Sequence, residues 1–283
     1  MLAALFFAAT IEQLISAGQY QQALDALTRE EKDARWHLLA SKAYDGLNQP
    51  GRAVEEAEAA LAIAPRWEAA HLQLGMIFLA RNTPEAALDI FNDARKLFPD
   101  AVVIRLGLGL AFKDLQRWDE AESELAACWP NPIAFDSLLT ILNFRGKFEE
   151  ARDLSERFTR TAPRDWRGHY HLAAAKDGLR EEGKTIVPLI QKAIDLKPDL
   201  AAAHALLGKV ALREGRLADA IPALEQAIRL RPDLVQAHLQ LAQTYQKLGR
   251  TVEADKGFAM VRALKEKEAQ PREKLSYGRG KPK

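Results

Sequence analysis

The chain is predicted to be all-α, a row of stacked helix–turn–helix units. Three observations carry this: a proline recurs every 34 or 35 residues after an apolar-periodic run, a Gly or Asn falls about half-way between successive prolines, and an Ala recurs just beyond that breaker. Pro65 to Pro99 is 34 residues, Pro163 to Pro198 is 35, and Pro198 to Pro232 is 34. The residue before a proline is pushed out of the helical region, so each Pro marks a seam between units.

The breakers are Gly18, Asn48, Asn82, Gly146, Gly183, Gly215 and Gly249, with Gln116 at that place in the third unit. Gly and Asn tolerate the left-handed backbone that closes a helix, so the spacing predicts helix, tight turn, helix. The alanines are Ala23, Ala53, Ala87, Ala121, Ala151, Ala220 and Ala254. Small residues there let two helices approach closely.

Taken in order, residues 1–33 are expected to form an N-terminal hairpin and residues 34–131 a regular run of units. Residues 132–268 form a second run, and 269–283 a flexible basic tail. Asn82-Thr83-Pro84-Glu85 predicts a capped helix start, with Pro where its missing N–H costs nothing and an acidic first turn. The 64 residues from Pro99 to Pro163 hold two units shortened by a few residues, and the deletion falls at Trp129-Pro130-Asn131-Pro132. Leu139 stands where other units carry Gly75, Gly109, Ala173, Gly208 and Ala242, so looser packing is expected between residues 125 and 145. The tail, with Arg272, Lys274, Arg279, Lys281 and Lys283 against Glu273, buries too little surface to order itself.

These features resemble the tetratricopeptide repeat (TPR) over roughly residues 4 to 268. The pattern is clearest in Leu207-Gly208, Gly215, Ala220, Ala227 and Pro232, and nearly as clear in Leu74-Gly75, Ala87, Ala94 and Pro99. The resemblance implies a right-handed superhelical solenoid of about eight helix–turn–helix repeats. It also implies a non-catalytic adaptor or scaffold for a protein or peptide partner, with no cofactor, the alternative in that class being a regulatory subunit of an enzyme encoded elsewhere.

Bulk properties narrow the function further. The 40 basic residues nearly cancel the 39 acidic ones, so no net field draws in nucleic acid. No stretch reaches the length of an integral membrane helix. One cysteine, Cys128, excludes a disulfide framework and cysteine-rich metal sites, and suits a cytoplasmic protein. The apolar opening Met1 to Ala9 raises two alternatives: a signal remnant of an exported protein, or self-association through Leu2, Leu5, Phe6 and Phe7.

Catalytic, metal and cofactor sites are not expected. His37, His71, His169, His204 and His238 share one offset, with Arg105 at the equivalent place, so they mark a packing position between neighbours. Cys128 occupies the offset of Ala60, Ala94, Ala193 and Ala227, which predicts a buried, inert thiol. Gly107-Leu108-Gly109 lacks the third glycine and the preceding strand of a dinucleotide fingerprint.

In proteins of the family this chain resembles, the first helix of each unit lines an inner wall that binds peptides. By register that places Leu72, Met76, Leu79, Val103, Leu106 and Leu110 on an apolar stretch of wall. Tyr170, Lys209, Arg213, Leu239, Gln243 and Lys247 take the equivalent places on a more polar and basic stretch. Lys209 and Arg213 would favour a partner carboxylate.

Overall fold

The computed structural model describes residues 10–269. Among these the chain is helical throughout, with no strand, and it divides into two compact units, one ending at Phe135 and one beginning at Asp136. The first unit contains α1 (10–16), α2 (Tyr20–Leu27), α3 (Ala34–Gly46), α4 (Pro50–Ile63), α5 (Glu68–Ala80), α6 (Pro84–Leu97), α7 (Val102–Asp114) and α8 (Trp118–Ala126). The division falls within α9 (Pro132–Phe144). The second contains α10 (Phe148–Thr161), α11 (Trp166–Gly178), α12 (Gly183–Leu196), α13 (Ala201–Arg213), α14 (Leu217–Leu230), α15 (Val235–Lys247) and α16 (Thr251–Ala269).

The expected pairs form: α3 with α4, α5 with α6 and α7 with α8 in the first unit, α11 with α12, α13 with α14 and α15 with α16 in the second. Neighbouring pairs meet twice, because each second helix packs on the following first helix and first helices also touch one another, α5 on α3 and α7, α13 on α11 and α15. That second contact makes a wall of first helices within each unit. The recurrent alanines, Ala53, Ala87, Ala121, Ala151 and Ala220 among them, are fully buried.

Gly75 and Gly208 show why the eighth position of a first helix is kept small. A methyl group there would come within 2.3 Å of the Phe91 ring and 2.5 Å of Leu224. Phe78 and Phe91 fill the core around α5 and α6, and Ile186 and Ile190 that around α12. At the start of the described chain, Ile11, Ala23, Leu27, Leu39 and Ala43 join α1, α2 and α3 in one core.

The turns follow the breakers with one correction. Gly18, Asn48, Asn82, Gln116, Gly146, Gly215 and Gly249 all have left-handed φ, but between α11 and α12 that residue is Arg180, not Gly183. The unit from Pro163 to Pro198 is one residue longer, and the turn α11–α12, residues 179–182, holds four residues where α13–α14, residues 214–216, has three. Gly183 instead opens α12, where its N–H donates to the Glu214 carboxylate and a side chain would strike that group.

The start of α6 also differs from expectation. Pro84 and Glu85 take the first turn, but Thr83 makes no side-chain cap; its hydroxyl donates back to the Phe78 carbonyl at 2.8 Å. The hydroxyl closes the preceding helix rather than opening the next.

At the shortened joint α8 has nine residues, against fourteen in α4 and α6. The chain turns through a cis Trp129–Pro130 peptide, and Asn131 Oδ1 accepts from the N–H groups of Ile133 and Ala134. Leu139 is fully buried, so its larger side chain is enclosed.

Candidate functional site: the first-helix walls

The shared histidine offset has a definite job. Nε2 of His71, His169, His204 and His238 lies 2.8–3.1 Å from the carbonyl of the proline six residues earlier, Pro65, Pro163, Pro198 and Pro232. A carbonyl only accepts, so Nε2 carries the proton and donates. The ring thereby fixes the seam to the first turn of the following helix. His37 departs, placing Nδ1 2.6 Å from Glu56. No group of three or more His, Cys, Asp or Glu among the described residues is arranged to hold a metal ion. Cys128 is buried, with Sγ donating to the Glu124 carbonyl at 3.2 Å, and burial pushes its thiol up to about 11.

On the wall of the first unit, Met76 is 38% exposed, and Leu72, Leu79 and Val103 are half-buried. Leu106 and Leu110, expected beside them, retain only 8% and 9%. They belong chiefly to the core of α7. The accessible apolar surface here is therefore Leu72, Met76, Leu79 and Val103.

On the wall of the second unit, Leu239 is half-buried, while Gln243 and Lys247 are exposed. Tyr170 stands against Trp166 and His171, and burial, then the Asp136 carboxylate, raises its phenol pKa. Arg213 and Lys209 converge on Asp177, itself 3% exposed: Arg213 ion-pairs with one carboxylate oxygen and Lys209 Nζ lies 2.7 Å from the other. Arg213 also donates to the Asp177 and Glu181 carbonyls. Its guanidinium thus ties α13 to the end of α11, as Arg81 ties the end of α5 to Asp45 of α3 at the same separation of 36 residues.

Between α11, α13 and α15 the wall opens into a cavity of about 400 Å³. Tyr170 and Lys209 line it, as do Phe148, Leu206, Arg231 and Gln240. Sequence reasoning missed Arg231 and Gln240, because one lies in a seam and the other at the sixth position of α15, outside the positions assigned to the wall. One contributor to the cavity is a small side chain in α13. The fifth residue of the first helix is Leu38, Leu72, Leu106, Tyr170 or Leu239 in five units, Asp136 in α9 and Ala205 in α13. The register contained that signal.

The comparisons with known proteins agree with this architecture. Models of the tetratricopeptide repeat match residues 38–102, 72–131 and 211–272, together more than half of the chain. The chain belongs to the tetratricopeptide repeat family. No curated protein matches it as a relative. Among solved structures, the chain is similar to one in the APC/C hetero-tetramer Cut9-Hcn1, with a TM-score of 0.67 and 16% identity over 83% of this chain. It spans about half of that protein, 48% of its length. A tetratricopeptide repeat protein from Parabacteroides merdae aligns with a TM-score of 0.66 and 15% identity, covering 86% of this chain and 99% of that one. A thermophilic TPR protein of Thermus thermophilus aligns at 0.54 and 24%, covering 59% of this chain and 93% of that one. These likenesses show the fold, that of tetratricopeptide-repeat solenoids.

No helix among the described residues is long and apolar enough to cross a membrane. Leu2, Leu5, Phe6 and Phe7, and the basic tail from Gln270 onward, lie outside the described residues.

Proposed function

We propose that this chain is a non-catalytic adaptor whose first-helix walls hold a peptide or protein partner without a cofactor. The observation that carries this reading is that both walls present side chains the fold leaves unused. Met76 exposes apolar surface, while Gln243 and Lys247 extend into solvent without a hydrogen bond or ion pair to the described chain. A rigid stack of helix pairs holds such groups in a fixed spacing before a partner arrives, which lowers the ordering cost of binding. The family's general use as protein-interaction modules supports the same conclusion. We place the protein in the cytoplasm, where a lone buried thiol is at no disadvantage.

Affinity capture with the full chain, compared with Leu72→Asp/Met76→Asp, tests the adaptor reading. Both positions reach the surface, whereas Leu106 is buried and a charge there would damage the core. The double variant is expected to lose specifically captured protein while keeping the helical circular-dichroism signal and melting temperature. Identical capture by both proteins, and by the Lys247→Glu variant, overturns the use of these walls.

A further inference from the structure

We propose that the cavity beside Ala205 receives one large apolar side chain from an acidic peptide segment of a partner protein, with Lys209 and Arg231 meeting carboxylates on either side of it. This rests on the adaptor reading and gives the wall of the second unit a ligand class.

Four features of the site point to that occupant. Ala205 leaves a small side chain where both neighbouring first helices carry a large one, Tyr170 on α11 and Leu239 on α15. The cavity, about 400 Å³, is of the size that encloses a small ligand group. Its walls include Phe148, Tyr170, Leu206 and Leu234, which favour an apolar side chain over a polar one.

The charges beside the cavity favour an acidic segment. Asp177, the acid in its lining, is already engaged by Lys209 and Arg213. Lys209 gives one donor to Asp177 and keeps two, and its side chain is 49% exposed. The Arg231 guanidinium makes no hydrogen bond or ion pair among the described residues. The chain's own basic tail carries the wrong sign to settle there.

The main chain of such a segment also has partners waiting. Gln240 is 4% exposed and lines the cavity, and its Oε1 has no hydrogen-bond partner; the same holds for Asn143 Oδ1. Buried amide oxygens of this kind ordinarily accept a bond. An extended peptide supplies N–H groups beside its side chains, so one segment satisfies the apolar space, the cations and the amides together.

The test uses the full chain and a random peptide library displayed on phage. Selected peptides are resynthesised with a fluorescent label and titrated by anisotropy. They are expected to carry a large apolar residue flanked by Asp or Glu. Ala205→Leu, which supplies the residue found in four sister units, is expected to weaken them about tenfold or more with the melting temperature unchanged or raised. Arg231→Glu, in the seam before α15, is expected to weaken them by about tenfold as well, and serves if Ala205→Leu perturbs folding. Unchanged affinity in both variants, selection of basic peptides, or no selection at all overturns the proposal. If capture still depends on Leu72 and Met76 in that event, the adaptor reading stands and the cavity assignment alone falls. Loss of both kinds of binding removes both.

Discussion

His71, His169, His204 and His238 show how a residue that invites a catalytic reading acquires a structural one from its partner. Each donates to a proline carbonyl six residues back, so the proton on Nε2 is committed to the backbone. The offset was legible in the sequence, but the partner was not, since periodicity places a ring without orienting it. For Cys128 the offset and the burial were legible, while its Glu124 carbonyl partner was not. Its thiol pKa, raised by burial to about 11, keeps it neutral at ordinary pH. At pH 8 roughly one thiol in a thousand is ionised. A disulfide reagent such as DTNB is therefore expected to leave the folded protein unmodified at that pH and to release one equivalent of thiolate per chain in denaturant. Prompt release from folded protein would contradict the burial. Lys209 and Arg213 were assigned to the second wall by register, yet a single sequence did not reveal Asp177 between them, because their meeting spans two units.

At the level of the helix pair, the breaker positions were read almost completely, and the miss at Gly183 has a physical cause. The extra residue of that unit enters the turn, so the left-handed position shifts to Arg180 while Gly183 answers a contact with Glu214. Arg216, then the Gly183 N–H, lower the Glu214 pKa and keep that acceptor charged. Gln116 occupies the left-handed turn between α7 and α8 with φ of 57° and no glycine to relieve it. A left-handed conformation costs a non-glycine residue about 1–2 kcal/mol. Glycine gives part of that back through the greater freedom of its unfolded chain. Gln116→Gly is expected to stabilise the protein by about 0.5–1 kcal/mol in urea titrations. A loss of stability would show that Gln116 contributes something beyond its backbone. Thr83 offers a parallel lesson: the dipeptide before Pro84 announced a helix boundary correctly, but its hydroxyl serves the helix that ends rather than the one that begins.

For the molecule as a whole, fold class and unit boundaries came from many weak positions agreeing in one register, whereas the site depended on positions where the register is broken. Stacked units interact with their neighbours, so damage should stay local. Gly75→Ala would drive a methyl group into the Phe91 ring, at about 1–3 kcal/mol. Hydrogen exchange is expected to quicken in α5, α6 and α7 while amides of α13 to α16 keep their wild-type protection. Uniform acceleration across the chain would show that the array opens as one cooperative body. The same locality bears on Ala205. A column of equivalent positions, each replaceable without disturbing the stacking of its neighbours, works like a row of keys on which one shortened key sets the combination. Duplication followed by one substitution can move that setting from unit to unit. A family built on one shape can in this way acquire new addresses without inventing a new fold.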